Sequence, residues 1–308
     1  MNVLVTGGTG FVGNILVNRL CARDDRATIV TRTPERARTA RVGVAYERWL
    51  PDVSRFDAIV HLMGESVAGK RWNDSVKREL AASRVDATRK LVDAIATLPA
   101  SARRPRVLIS ASAVGYYGSR GDEILTESSN SADTFLGRMC VDWEREAARA
   151  ADLGVRVVHL RIGIVLGRSG GALAKMTPIF RLGLGGALGW RRAWFPWIHV
   201  DDVCGMILFA LDHDAARGPW NAAAPGIVTN HEFASTMGRV LSRPAIFAVP
   251  HLALRVAVGQ VADALVSSQR VVPERAVAAG YSFRFPELEP ALRHLLRGEN
   301  VARGSREG

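Results

Sequence analysis

The amino-acid sequence predicts an α/β fold built on a doubly wound parallel sheet, followed by a smaller C-terminal lobe. Two observations support this prediction. Short apolar segments alternate with helical stretches through the first half of the chain, whereas the second half is glycine-rich, tryptophan-rich and interrupted by prolines. Strands that alternate with helices form βαβ units, whose parallel strands are joined by right-handed crossovers.

Hydrophobic periodicity assigns the elements in chain order. Strands are predicted at Val3–Val5, Thr28–Thr31, Val44–Tyr46, Ala58–Leu62, Arg106–Ser110 and Arg156–Leu160. Helices are predicted at Asn14–Arg23, Asp74–Leu98, Asp142–Ala151, Asp201–Leu211, Asn230–Leu241, Leu252–Val266 and Glu287–Leu296. The strand at Arg106–Ser110 carries a continuous apolar run, which is typical of a strand buried on both faces of the sheet.

Composition excludes several classes of protein. The 308 residues are 48% apolar and 23% charged, as in ordinary globular proteins. No apolar run approaches the ~20 residues needed to cross a bilayer, and no signal peptide precedes the first strand. The three widely spaced cysteines, Cys21, Cys140 and Cys204, suit buried free thiols, so we expect a cytoplasmic protein.

The net charge of +11 comes mainly from arginine. Because the arginines are scattered along the chain, they indicate a solvated basic surface rather than a nucleic-acid site. His, Cys, Asp and Glu show no metal-ligand spacing, so no metal site is predicted.

The strongest motif lies between the first predicted strand and the first helix. It is Thr6-Gly7-Gly8-Thr9-Gly10-Phe11-Val12-Gly13. In such a motif Gly7 permits a tight turn, Gly10 lets a phosphate approach the backbone, and Gly13 allows close packing of the helix. Backbone N–H groups at a helix N-terminus bind a pyrophosphate. The sequence therefore predicts a Rossmann-like dinucleotide site that also includes Thr9, Phe11 and Val12.

The end of the second strand predicts which dinucleotide is bound. A NAD site usually has an acidic residue there, whereas an arginine accommodates the 2′-phosphate of NADP. This chain has Thr31-Arg32-Thr33-Pro34, with Arg36 close behind. A guanidinium forms paired hydrogen bonds with phosphate, and a threonine hydroxyl can add another. The expected cofactor is NADP(H), held by Thr31 and Arg32.

These elements predict the domain organisation. Residues 1–165 form the NADP-binding Rossmann domain, and residues 198–215 pack back onto it. Residues 166–298 form the C-terminal substrate lobe, and residues 299–308 form a weakly ordered tail.

Further segments match a known pattern over nearly the whole chain, from Met1 to about Leu296. They are Leu62–Glu65, Lys70–Trp72, Ser110–Gly118, Asp142–Glu144, Leu160–Gly167, Phe180–Gly186, Pro196–Asp202 and Asn230–Phe233. With these segments the sequence resembles the extended short-chain dehydrogenase/reductase superfamily. Within it, the chain is similar to an atypical branch of epimerase-family proteins, NAD-dependent epimerase/dehydratase-like proteins with a distinctive C-terminal domain.

The resemblance implies further NADP(H) contacts. They come from Leu62 and Met63 after the fourth strand, from Glu79 and Arg84 on the following helix, and from Ile164 beyond the sixth strand. An arginine beside the pyrophosphate would compensate its charge, and a glutamate would suit a ribose hydroxyl. The alternative for Glu79 and Arg84 is an ion pair on the helix surface.

The catalytic residues depart from the superfamily pattern. Typical members use a serine after the fifth strand and a Tyr-x-x-x-Lys pair on the next helix. Ser112 stands at the serine position, but alignment of the helix on Glu144 places Leu136 and Cys140 where the tyrosine and lysine should be. Leucine has no proton to exchange, and an unassisted thiol is mostly protonated near neutral pH.

Tyr116 and Tyr117 are the alternative proton donors. They follow Ser112 in a loop that leaves the edge of the sheet where ligands bind. The predicted catalytic residues are therefore Ser112, Tyr116 and Tyr117, with structural packing as the alternative role for both tyrosines. We also expect an aromatic and basic neighbourhood near the pocket, formed by Trp190, Trp194, Trp197, Arg181, Arg191 and Arg192.

Two classes of function stay open. The first is an NADP(H)-dependent oxidoreductase or epimerase that acts on a small, sugar- or nucleotide-like molecule through a non-standard proton relay. The second is a non-catalytic NADP(H)-binding sensor or interaction protein. The expected partner is a small-molecule substrate, with neither nucleic acid nor membrane. The sequence leaves the oligomeric state open, a homodimer being one option.

Overall fold

The computed structural model describes residues 1–34 and 43–299. Arg36 and most of the expected tail therefore lie outside the described residues. The strands are β1 (Asn2–Thr6), β2 (Arg26–Val30), β3 (Val44–Glu47), β4 (Ala58–His61), β5 (Val107–Ala113), β6 (Ile124–Leu125), β7 (Arg156–Ile162), β8 (Ile164–Leu166), β9 (Gly186–Leu188), β10 (Trp194–Phe195), β11 (Trp197–His199), β12 (Gly218–Ala222), β13 (Val228–Thr229), β14 (Phe247–Val249) and β15 (Arg270–Val271).

The helices lie between these strands and fill the second half. They are α1 (Phe11–Cys21), α2 (Asp74–Ala81), α3 (Ala87–Ala96), α4 (Phe135–Ala148), α5 (Gly171–Arg181), α6 (Val200–Asp212), α7 (Asn230–Leu241), α8 (His251–Val258), α9 (Val261–Leu265), α10 (Glu274–Ala278) and α11 (Leu288–Arg297).

The central sheet has seven parallel strands in the order β12-β7-β5-β4-β1-β2-β3. The chain enters at β1, builds outward through β2 and β3, and then crosses to β4 and the other half. This is the doubly wound topology, and the prediction of fold class is confirmed. A crevice forms at the carboxyl ends of β1 and β4, where the winding direction reverses.

Strand β1 shows how the sheet builds a core on each face. Val3 and Val5 are fully buried on one face, in a cluster with α1 and α6, whereas Leu4 is buried on the other face with α3. Successive side chains of a strand point to opposite faces, so a fully apolar strand must be covered on both. The central position of β1 fixes the loop that follows it between two packed layers.

Helix bounds differ from the sequence predictions at identifiable places. Helix α1 begins at Phe11, three residues earlier than predicted, because the turn Gly7–Gly10 leads directly into it. The predicted helix Asp74–Leu98 is interrupted by a π-helical turn at Ala82–Asp86. Helix α4 begins at Phe135 rather than Asp142, since the Thr134 side chain caps it by accepting a hydrogen bond from the Gly137 N–H.

The segment that returns to the first domain is longer than residues 198–215. Helix α6 packs beside α1 and against β5, and β12 then joins the edge of the central sheet by pairing with β7. The Asp202 carboxylate of α6 accepts hydrogen bonds from the backbone N–H groups of Arg284 and Phe285, at 2.7 and 3.0 Å. These two hydrogen bonds hold the C-terminal segment against helix α6, which itself packs on the central sheet.

The C-terminal lobe has its own apolar core. It includes Leu166, Phe180, Trp197, Phe233 and Leu292, all nearly inaccessible to solvent. Over residues 1–34 and 43–299 no helix is long and apolar enough to cross a membrane. The lobe packs beside the carboxyl edge of the sheet, and a cavity lies between the two.

Candidate functional site

The glycine loop after β1 has a conformation that other residues would not allow. Gly7 has φ +71°, and a Cβ atom on it would lie 2.8 Å from the carbonyl carbon of Leu62. A Cβ atom on Gly13 would lie 2.2 Å from the Gly7 carbonyl oxygen. The first turn of α1 thus packs closely against the loop itself.

This close packing presents a helix N-terminus to the crevice. The N–H groups of Phe11, Val12 and Gly13 belong to the first turn, where no helical carbonyl can accept them. The first turn carries no acidic residue. The loop and the positive end of the helix dipole therefore form a site for a phosphate group.

A nucleotide-sized cavity of about 1070 Å³ lies along this loop. Its wall brings together most of the predicted cofactor residues: Gly7, Thr9, Gly10, Thr31, Arg32, Leu62 and Met63. Arg32 stands exposed just beyond the end of β2, the position expected for a 2′-phosphate contact. Phe11 and Val12 instead pack inward, Phe11 against the glycines Gly167 and Gly170 and Val12 against the core of α6.

Sequence reasoning missed one cation of this wall. Lys90 lines the cavity together with Ser83, Asp86 and Ala87, on the face of the helix that follows β4. Their spacing of three and four residues was the available signal, because such residues share one helical face. Lys90 places a second positive charge in the wall that Arg32 also lines.

The π-helical turn positions Arg84. The turn Ala82–Asp86 inserts one residue into the helical path, and the Arg84 side chain is only 8% exposed. Its guanidinium donates to the carbonyl oxygens of Leu80 and Glu65 and lies 5.5 Å from the centre of the Trp143 ring. Among the described residues it has no carboxylate at ion-pairing distance, and burial lowers the pKa of Arg84 from its ordinary value.

A buried hydrogen-bond chain braces the backbone beneath Arg84. The Thr88 hydroxyl donates a hydrogen bond to the Arg84 carbonyl oxygen at 2.6 Å. Its oxygen therefore accepts a hydrogen bond from the His61 Nε2–H group, at 3.0 Å. His61 Nδ1 then accepts from the Thr6 hydroxyl at 2.7 Å. Burial lowers the pKa of His61 to about 4, so the imidazole is neutral near pH 7. Both ring nitrogens of His61 therefore have partners in the core.

Three residues implied by the resemblance lie apart from the nucleotide cavity: Glu79, Ile164 and Arg84, the last of which lines a second cavity. Glu79 forms an exposed ion pair with Lys70 at 2.7 Å and does not line the nucleotide cavity. Ile164, on β8, lines the same second cavity, deeper in the crevice. These placements put Glu79 in the surface ion pair that was its alternative role.

The inner cavity, of about 600 Å³, lies between the carboxyl edge of the sheet and the C-terminal lobe. Ser112 at the end of β5 and the first half of α4 form one side, and α9 with its following turn forms the other. Leu136 and Cys140 both line it, which agrees with the helix alignment that put them at the usual tyrosine and lysine positions. Burial raises the pKa of the Cys140 thiol to about 12, so the thiol is protonated.

Ser112 is fixed by a buried ion pair. Its hydroxyl donates to Glu144 Oε1 at 2.6 Å, and Glu144 accepts two hydrogen bonds from the Arg161 guanidinium, at 2.9 and 2.8 Å. Burial opposes the charge of Arg161, but the hydrogen bonds and the charge of Glu144 raise its pKa above the ordinary value. The only proton of Ser112 therefore points at a carboxylate, and its oxygen is left to accept.

The two tyrosines are held on the other side of this ion pair. Tyr117 is fully buried, and its hydroxyl donates to Asn221 Oδ1 at 2.6 Å and accepts from Arg161 at 3.0 Å. The Tyr116 ring lies under the Arg161 guanidinium, 3.5 Å from ring centre to Cζ. Neither tyrosine lines the inner cavity. Residues 114–117 form a 3₁₀ turn, and both rings point towards Arg161 instead of into the inner cavity.

The expected aromatic and basic neighbourhood is divided. Trp194 lines the inner cavity, Trp197 is buried in the core of the lobe, and Trp190 is 73% exposed. None of the three arginines expected with them lines the inner cavity. Over residues 1–34 and 43–299 no group of three His, Cys, Asp or Glu side chains could hold a metal ion.

Comparisons with known proteins agree with this arrangement. The sequence pattern of the "NAD dependent epimerase/dehydratase family" matches residues 3–223, and a "domain of unknown function", DUF1731, matches residues 249–295. The chain is 39% identical over 305 residues to an Arabidopsis thaliana relative called "Epimerase family protein SDR39U1 homolog, chloroplastic". That alignment covers 96% of this chain and 87% of the relative.

Two solved structures are similar over most of the chain. The human epimerase family protein SDR39U1, crystallised with NADPH, is 35% identical with a TM-score of 0.87, and the match covers 97% of this chain and all of that one. A nucleoside-diphosphate sugar epimerase from Corynebacterium glutamicum is 32% identical with a TM-score of 0.76. That match covers 98% of this chain but 59% of the Corynebacterium chain.

Proposed function

Because the chain belongs to the NAD-dependent epimerase/dehydratase family, we propose that it binds NADP(H) and acts on a small molecule as an oxidoreductase or epimerase-like enzyme. One observation carries the proposal. Ser83 lines the nucleotide cavity and Arg84, the next residue, lines the inner cavity, so the two cavities lie on either side of one helical turn, and we propose that one elongated ligand occupies both. The NADPH in the human relative's structure supports the choice of cofactor.

The residues present fit this cofactor. Gly7, Gly10 and Gly13 leave room for phosphate at the start of α1, which a Cβ atom on Gly13 would remove by displacing the loop. Arg84 supplies a buried positive charge without a carboxylate partner among the described residues. When bound, NADP(H) supplies the acceptor or donor of a hydride.

Arg32 is proposed to select NADP(H) over NAD(H). It lines the nucleotide cavity beside Thr31 and Thr33, and its exposed guanidinium is available to a 2′-phosphate. Lys90 lines the same cavity and adds to its positive potential. A phosphate would be attracted by both cations, although Glu65 and Asp86 in the same wall offset part of their charge.

Ser112 is the catalytic residue that we carry into the proposal. It lines the inner cavity, and its oxygen can accept a hydrogen bond from a substrate hydroxyl. Tyr116 and Tyr117 are not carried forward, because burial raises the pKa of Tyr117 to about 12 and both rings are occupied with Arg161. Proton exchange is then left to water or to the substrate itself.

A non-catalytic NADP(H) sensor is the second candidate function. The observation in its favour is that Leu136 and Cys140 face the inner cavity where a tyrosine and a lysine would act. A cytoplasmic location is supported by the three free cysteines, and it stays a prediction.

Cofactor preference tests the proposal. Titration by tryptophan fluorescence should show that NADPH binds at least roughly tenfold more tightly than NADH, since hydrogen bonds to a charged group contribute about 1.5–3 kcal/mol. Arg32→Glu should weaken NADPH binding by roughly 10- to 100-fold through charge repulsion, with less effect on NADH.

Arg26→Glu is the matched control. Arg26 is exposed at the opposite end of β2 and gives the same change in net charge. This variant should bind both cofactors as the natural chain does. Equal affinities for NADPH and NADH in the natural chain would refute the role of Arg32.

A further inference from the structure

The inner cavity is lined mainly by aromatic and aliphatic side chains. Its aromatic wall consists of Trp72, Trp143, Trp194, Phe135 and Phe195. We propose that the cavity takes a neutral, mostly apolar substrate whose hydroxyl group donates a hydrogen bond to Ser112, and that it does not take a nucleotide sugar. This inference rests on the proposed function, since it names the substrate class for the same site.

The charges of the wall argue against a diphosphate. Among its described residues, only Arg84 and Asp263 carry a charge at neutral pH, and the charge of Asp263 is negative. Asp263 lies at the exposed rim and pairs with His251 at 2.8 Å. A diphosphate moved from water into this cavity would lose its hydration, and among the described lining residues Arg84 is the one cation that could compensate its charge. The nucleotide cavity, by contrast, offers a glycine loop, Arg32 and Lys90.

Most other polar side chains of the wall already have partners within the protein, although the Trp143 indole N–H is buried without one. Thr134 caps α4, the Asn230 amide donates to the Leu188 carbonyl oxygen, and the Gln269 amide donates to the Val114 carbonyl oxygen at 2.8 Å. The hydrogen bond between Gln269 and Val114 joins the two lobes beside the cavity. The partnered groups leave a ligand with few polar partners, so most of its surface must be apolar to bind.

Ser112 sets the polarity of the remaining contact. Its hydroxyl proton is committed to Glu144 by a 2.6 Å charge-assisted hydrogen bond. A substrate carbonyl, which can only accept, would have to break that bond, whereas a substrate hydroxyl can donate to the free lone pairs of the serine oxygen. The cavity therefore favours an alcohol over the corresponding ketone at this position.

The experiment compares two ligands that differ by one hydroxyl group. 1-Tetralol and tetralin are neutral bicyclic probes, and both are titrated by ligand-detected NMR into the NADPH-saturated protein, in which the alcohol cannot be oxidised. We expect both to bind, 1-tetralol roughly two- to tenfold more tightly, as one net hydrogen bond predicts. UDP-glucose should displace neither.

Variants separate the two parts of the inference. Ser112→Ala should abolish the preference for 1-tetralol and leave tetralin unchanged, while the exposed-site control Ser101→Ala should alter neither. Leu136→Glu introduces a carboxylate into the half-buried wall and should weaken both probes at least roughly tenfold.

Failure of this inference can be told from failure of the proposed function. If NADPH raises the melting temperature but neither probe binds, or UDP-glucose displaces them, the substrate class is refuted and cofactor binding stands. Equal loss of both probes in Ser112→Ala would refute the hydrogen bond. If NADPH does not bind, the proposed function fails, and the same titrations on the cofactor-free protein still test the cavity.

Discussion

The ion pair between Glu144 and Arg161 gives the most direct test of how the site is held. Both side chains are almost withdrawn from solvent, Arg161 at 4% exposed and Glu144 at 13%. Arg161→Met keeps a long apolar side chain but removes the guanidinium. The Glu144 carboxylate then stays buried with the Ser112 hydroxyl as its remaining hydrogen-bond donor in this network.

The size of the effect follows from the burial of that carboxylate. Removal of one partner from a buried ion pair costs about 3–5 kcal/mol, because the other charge stays desolvated and uncompensated. Removal of both charges, in the double variant Arg161→Met with Glu144→Leu, should restore most of the loss, since an apolar pair of similar volume is often neutral or stabilising. The expected coupling energy between the two substitutions is therefore at least about 2 kcal/mol.

Urea unfolding at pH 7.5, followed by tryptophan fluorescence, measures these free energies from the midpoint and slope of each transition. Arg120→Met is the control, because Arg120 pairs with Glu123 at the surface. Surface ion pairs contribute about 0–1 kcal/mol to the free energy of unfolding. A double variant that is no more stable than Arg161→Met alone would refute this reasoning. The cost would then come from lost packing of the guanidinium on the Tyr116 ring.

Three further predictions concern the glycine loop, a buried histidine and a buried thiol. Gly13→Ala should abolish the NADPH-induced rise in melting temperature, because its Cβ would lie 2.2 Å from the Gly7 oxygen, and the exposed Asn14→Ala should not; normal stabilisation of Gly13→Ala by NADPH would contradict the loop geometry. His61 has a pKa of about 4 in the folded protein and about 6.5 in the unfolded chain, so the unfolded chain binds a proton first as the pH falls. The contribution of His61 to stability is therefore complete above pH 6.5, and the free energy of unfolding should fall by up to about 3 kcal/mol as the pH drops towards 4. His61→Gln should flatten that fall, and an unchanged pH dependence would exclude His61 as its source. Cys140→Ala should bind NADPH with unchanged affinity, since burial keeps the thiol protonated; a large loss of affinity would show that the thiol takes part.

The sequence could predict the sheet and the phosphate loop because both depend on local patterns. Apolar strands, helical periodicity and the Gly7, Gly10, Gly13 spacing are each readable within about a dozen residues. Arg32 is predicted in the same way, since its place is counted from the end of β2. The structure brings Gly7, Gly10 and Arg32 to one cavity, as the doubly wound topology requires.

The inner cavity could not be predicted in this way because its decisive contacts join distant segments. Ser112, Glu144 and Arg161 come from β5, α4 and β7, and only the paired strands bring Ser112 and Arg161 side by side. The π-helical turn that buries Arg84 leaves no signal in apolar spacing. Tyr117 was expected at the ligand edge, but its inward turn depends on Asn221 in β12, over a hundred residues away.

The balance between an enzyme and a sensor depends on what the inner cavity costs. Leu136 and Cys140 stand at the usual tyrosine and lysine positions and line a cavity of about 600 Å³. A protein that only detects the cofactor does not need this cavity. Close packing is the rule for protein interiors, and an open cleft with a largely apolar wall leaves that wall exposed to water. The proposed second ligand would cover the aromatic rings of this wall and would use the Ser112 oxygen, which a buried ion pair holds in place. Ligand-dependent oxidation of NADPH, or reduction of NADP⁺, then separates the two functions: turnover that Ser112→Ala lowers supports the enzyme, whereas tight binding of both ligands without turnover supports a sensor of both.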